Sequence, residues 1–116
     1  MIQDTKSNLP KWTVIDTHPD KLNDLLEGLS GINDPEMGYS IIQLGLIRNI
    51  EINPDHALVT MILTTPYCPY GPSMLEATRK KVESILGLST KINYGSESWD
   101  TTMMEEGLMD DWGLYD

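Results

Sequence analysis

From Ala57 to Leu63 the chain runs almost unbroken through apolar side chains, and from Met74 a second apolar pattern begins with a helical period. Between them stands Thr64-Thr65-Pro66-Tyr67-Cys68-Pro69-Tyr70-Gly71-Pro72, with three prolines in its last seven residues. An apolar run of that length reads as a strand, Ala57 to Thr65, covered on both faces. The helix should start at Gly71 or Pro72 and reach about Leu86. Met74, Leu75, Thr78, Val82, Ile85 and Leu86 fall on one side, while Glu76, Arg79, Lys80, Lys81 and Glu83 fall mostly on the other. Gly87 then stops it. Ser89 to Tyr94 follows as another strand, with Ile92 and Tyr94 on one face and Lys91 and Asn93 on the other. A strand–helix–strand unit of this kind crosses over right-handedly and lays its helix on the sheet.

The upstream half supplies the rest of the layer. Leu46 to Asn53 reads as a strand, joined to the next by Asn53-Pro54-Asp55-His56, which suits a type I turn. A first helix should begin near Asp16-Thr17-His18-Pro19, with proline at the first helical position. Leu22, Leu25, Leu26 and Leu29 give it one buried face, and Gly28 and Gly31 mark its end. Trp12 to Ile15 fits a short strand or a packing arm, and Met1 to about Lys11 a tail. The predicted fold is a two-layer α/β (α+β) domain, helix–strand–strand–helix–strand, with a small three-stranded mixed sheet. Residues 1–15 form the tail or arm and residues 16–116 the domain, including an acidic C-terminal segment.

A chain of 116 residues fits one such domain. Its net charge of −10 argues against nucleic acid and against an anionic membrane surface, both of which need clustered Lys and Arg. From Glu97 onward there are acids at Glu97, Asp100, Glu105, Glu106, Asp110, Asp111 and Asp116, with no Lys or Arg. A run of this sort is ordinarily a solvated face, and meets a basic partner less often. One cysteine excludes an internal disulfide. The polar start lacks a signal-peptide pattern, no stretch is long enough to span a membrane, and a reducing, cytoplasm-like compartment is the expectation.

Chemistry concentrates at Cys68. The loop between the carboxyl end of a strand and the start of a helix gathers unpaired amide N–H groups and the positive end of the helix dipole. A thiol so placed can have its pKa lowered, which favours the nucleophilic, metal-binding thiolate. Most free cysteines are small buried hydrophobes, but a proline-rich loop at a helix start is a poor place for filler. Asp34-Pro35-Glu36 is a second feature. Alone it is most simply a turn with Asp34 as its cap; two carboxylates around a proline also suit metal or proton handling. His18 at a helix start and His56 in a turn carry no evident chemistry.

Read together, Asn33-Asp34-Pro35-Glu36, Leu44-Gly45-Leu46-Ile47, Thr64-Thr65-Pro66-Tyr67-Cys68-Pro69 and Trp99-Asp100-Thr101-Thr102-Met103-Met104 resemble the iron–sulfur assembly domain family that includes SufT and PaaD. The blocks stand in the family's order across about Leu22 to Gly113. The resemblance implies a site made by Asp34, Glu36, Thr65 and Cys68, and a role in cluster maturation. Members act as accessory or targeting factors, often as dimers, beside other assembly proteins and client apoproteins. The family usually has prolines before and shortly after the tryptophan matching Trp99, where this chain has Gly95-Ser96-Glu97-Ser98-Trp99-Asp100, and the acidic, Met-rich ending is unusual. Those departures concern the C-terminal surface more than Cys68.

Iron–sulfur clusters usually take four cysteine thiolates, and this chain has one. A labile cluster would therefore be shared between subunits, with a client, or with outside thiols. In this reading Cys68 is a transient ligand or partner contact. Asp34 and Glu36 tune the thiol or offer oxygen ligands, and Thr65 hydrogen-bonds nearby. A non-catalytic adaptor that recruits assembly proteins to clients is the alternative. A thiol enzyme ranks last, because neither histidine is placed as its base. Met104, Leu108 and Trp112 recur at four-residue spacing and suggest a short amphipathic helix, more simply packed on the domain than bound to a partner.

Overall fold

The computed structural model describes residues 12–65 and 69–104. Its elements run α1 (Thr13–Thr17), α2 (Pro19–Leu29), β1 (Ile47–Ile52), β2 (His56–Met61), α3 (Gly71–Leu86) and β3 (Ser89–Tyr94), with a final 3₁₀ turn at Thr101–Met103. The strands form one mixed sheet in the order β1-β2-β3. β1 and β2 are antiparallel, and β2 and β3 are parallel on either side of α3. The predicted α+β architecture is the one that forms.

Trp12 to Ile15 is not a strand. Thr13–Thr17 is a short helix, and Trp12 and Val14 are fully buried in the core. The Trp12 indole donates to the Ile47 carbonyl at 2.9 Å and the Thr13 amide to Asn49 Oδ1 at 2.7 Å, which fixes this segment against β1. Residues 1–11 lie outside the described part. α2 starts at Pro19 as its proline dictates, and His18 caps it without a side-chain hydrogen bond. Gly28 does not mark the end of α2. It lies inside the helix, and a Cβ there would stand 2.6 Å from Ile85 Cδ1, so its bareness lets α2 approach α3.

β2 is not covered on both faces. Ala57, Val59 and Met61 are buried while His56, Leu58 and Thr60 are half-buried. The register aligns the buried trio with Ile52, Ile50 and Ile47 of β1 and with Thr90, Ile92 and Tyr94 of β3. A sheet buried on one face needs only alternate apolar positions; the extra apolar residues Ile62 and Leu63 lie just past the strand, buried beneath its exit. β1 keeps this face by a bulge, since the register slips between Ile47 and Asn49. The extra residue, Arg48, is thereby turned out of the ladder. α3 ends as foreseen, with Gly87 left-handed at φ 69°.

Candidate functional site

Asp34 is fully buried. Its Oδ1 accepts the amides of Glu36 at 2.9 Å and Met37 at 3.4 Å. Its own amide donates to the Tyr39 carbonyl at 2.9 Å, and the Gly38 amide donates to the Asp34 carbonyl at 2.8 Å. Pro35 sets the bend and Gly38, at φ 77°, closes it. The expected cap is therefore present. The second oxygen does something a cap does not require: Oδ2 accepts the hydroxyl of Thr64, thirty positions away, at 3.3 Å. Desolvating a carboxylate is costly unless hydrogen bonds surround it, and here two segments supply them.

Of the four candidate residues, Asp34 and Glu36 share this turn, with Glu36 exposed. Thr65 is half-buried beside Thr64 at the exit of β2. Cys68 lies outside the described residues. Thr64 was not singled out from the sequence; nothing local marks which of two adjacent threonines meets a carboxylate thirty residues upstream. Across the gap, Gly71 opens α3 directly against Leu63, where a Cβ would meet Leu63 Cδ1 at 2.6 Å. Both described ends of the Cys-bearing segment are thus packed against the same strand exit.

The other two family-like blocks also meet. The Trp99 indole donates to the Leu44 carbonyl at 2.7 Å. Gly45, at φ 73°, leaves room for Met103, whose carbonyl oxygen would lie 2.2 Å from any Cβ. Arg48, freed by the bulge, donates to the Gly45 carbonyl at 2.9 Å and forks onto Glu97 at 2.8 and 3.3 Å. Met104 is buried at the end of this strap, which supports packing of that residue on the domain; Leu108 and Trp112 lie outside the described residues. Between the strap and the strand exits runs a groove of about 260 Å³, lined by Leu63, Thr64, Tyr94 and residues 95–99.

Asp100 caps the strap's last turn, accepting the Thr102 hydroxyl and the Thr102 amide, the latter at 2.8 Å. The Thr102 hydroxyl first, then its amide, hold the Asp100 carboxyl below its ordinary 3.8, with the charge of Arg48 adding a smaller push. A depressed folded pKa contributes stability above the unfolded value, and that contribution is lost as pH falls through the folded one. Asp100→Asn should therefore melt slightly below wild type at neutral pH, and the gap should close as pH falls below the ordinary 3.8. A gap that persists unchanged in acid would assign the effect to shape and not to charge.

A small mixed-sheet α+β domain with an acidic turn pinned to the strand exit before a Cys-Pro segment defines a class, and comparison with known proteins gives that class its family. The family described as iron–sulfur cluster assembly protein matches residues 22–93. The chain belongs to it. An iron–sulfur protein maturation auxiliary factor of Porphyromonas gingivalis is 38% identical over 89 residues, 74% of this chain and 85% of that protein. The maturation auxiliary factor SufT of Staphylococcus aureus is 31% identical, over 61% of this chain and 84% of that one. A cluster carrier protein of Deinococcus radiodurans is 47% identical over 77 residues, 65% of this chain but 22% of its own length. Among solved structures, a domain of unknown function from Bacillus anthracis shares the fold with a TM-score of 0.73, covering 85% of this chain and 97% of that one at 21% identity. A conserved hypothetical protein from Thermotoga maritima gives 0.63 at 26% identity, covering 78% and 92%. No helix among the described residues is long and apolar enough to cross a membrane.

Proposed function

We propose that this chain is an accessory factor that assembles iron–sulfur clusters or delivers them to client apoproteins, with Cys68 as the transient ligand or partner contact. The observation that carries this reading is the hydrogen bond from Thr64 to buried Asp34. It joins two of the family-like blocks through a residue four positions before Cys68 in the chain, and an anchored carboxylate together with a thiol suits metal handling. The relatives' names, maturation auxiliary factor and cluster carrier, support the same role.

The cluster is cargo in this account. One thiol per chain means that the remaining thiolates come from a second subunit, a client, or outside thiols. Asp34 is already engaged by three donors, so its part is to anchor and tune. Glu36, exposed on the same turn, is the carboxylate able to meet incoming iron, and Thr65 adds a hydroxyl beside the loop. Partial ligation of this kind favours release over storage. The role is read as accessory and not enzymatic, in line with the relatives named maturation auxiliary factors. A reducing, cytoplasm-like compartment suits the free thiol. The test is whether cells lacking the protein regain client cluster occupancy with wild type and not with Cys68→Ser.

A further inference from the structure

The two edges of the sheet are finished differently. Beyond β1 the chain covers its own edge, with the Trp12 indole on the Ile47 carbonyl and the Thr13 amide on Asn49 Oδ1. β3 is the last strand on the other side, and among the described residues no strand pairs with its outer edge. We propose that this outer edge of β3 is where a second copy of the chain docks, strand to strand and antiparallel, to make one continuous sheet.

An edge strand presents a row of unpaired N–H and C=O groups, which proteins usually blunt with proline, a bulge or charge. β3 pairs with β2 residue for residue from Ser89 to Tyr94, without a bulge, and holds neither proline nor glycine. Its one charge is Lys91. On the core face Ile92 is half-buried and Tyr94 is 53% exposed, so apolar surface stands open beside the unpaired backbone.

Register and charge point to a second copy as the occupant. Directly opposed residues of antiparallel strands share a face. About a twofold axis at Ile92, each Ile92 meets its equivalent, Thr90 meets Tyr94, and Lys91 meets Asn93, so core faces and open faces both match. A shift that centred the pair on Lys91 would oppose two lysines. The acids that would make two copies repel lie elsewhere. Asp16, Asp20, Asp24 and Glu27 are exposed on α1 and α2, and α1 packs against β1. Glu76 and Glu83 of α3 are both paired with Arg79. Because the copies run antiparallel, their β2 exits point to opposite ends of the joined sheet, and each candidate site stays open. Pairing of this kind is independent of what Cys68 does.

Sedimentation equilibrium of the full chain in reducing buffer, which excludes a Cys68 disulfide, should show a monomer–dimer equilibrium. Asn93→Lys sets like charges opposite each other on both sides of the axis, at exposed positions outside the core. It also lowers the net negative charge, which by itself favours association. The dimer should nevertheless weaken by about tenfold or more. Lys91→Glu combined with Asn93→Lys sets opposite charges across the same pairs and should restore association to the wild-type level. A wild-type chain that stays monomeric up to millimolar concentration overturns the proposal and leaves the edge to another occupant. Asn93→Lys that associates as wild type does also overturns it, as does a double variant no stronger than Asn93→Lys alone.

Discussion

Anaerobic reconstitution with iron and sulfide should yield a labile visible absorption in the wild-type protein at less than one cluster per chain, and Cys68→Ser should reduce both absorption and bound iron to background. The expectation follows from ligand count. A cluster needs several thiolates, the chain carries one cysteine, and serine oxygen is a far poorer ligand for cluster iron than thiolate sulfur. Sharing between subunits predicts that addition of a small thiol such as glutathione raises occupancy in wild type and leaves Cys68→Ser unchanged. No cluster in either protein would shift the account to an adaptor that recruits assembly proteins without touching iron, and pull-downs would then replace spectroscopy.

The largest stability effect is expected far from the thiol. Gly45→Ala should cost about 2–4 kcal/mol, because it combines a left-handed backbone with an overpacked contact. For a domain of this size that lowers Tm by roughly 10–20 °C. The new Cβ would stand 2.2 Å from the Met103 carbonyl oxygen, a backbone atom that cannot rotate aside, so the strap must lift. Gly38 is the internal control: its φ of 77° is similar, yet nothing lies within 4 Å of its Cβ position. Gly38→Ala should therefore show only the backbone part, about 1–2 kcal/mol. Equal melting of the two variants would mean that the strap contributes little where it crosses Gly45.

The parts of this fold that were legible are those whose cause is local. α3 could be bounded at Gly71 and Leu86 because a proline-marked start and a left-handed Gly87 bracket an amphipathic run. β3 likewise ends where its alternation does, at Ser89 and Tyr94. The helix at Thr13–Thr17 was not legible, since five residues carry less than two turns of periodicity and Trp12 is held by a carbonyl 35 positions away. The one-sided burial of β2 was hidden by Leu58, an apolar residue on the face away from the core. At the site, the Asp34 cap could be read from Asp-Pro spacing. The choice of Thr64 and the docking of Trp99 on Leu44 could not, because both bonds join residues separated by 30 and 55 positions. The four family-like blocks prove to be paired in space, Asp34 with Thr64 and Leu44-Gly45 with Trp99 and Met103, which gives their order along the chain a physical meaning.

Cluster occupancy of a client protein isolated from cells reports whether cluster maturation by this chain depends on Cys68. Cells lacking the gene would be supplied with wild type or Cys68→Ser at matched abundance, and iron and sulfide per client molecule measured. Full occupancy is expected with wild type, and a level near that of the empty background with Cys68→Ser. Full occupancy with both proteins would mean that Cys68 is dispensable for maturation.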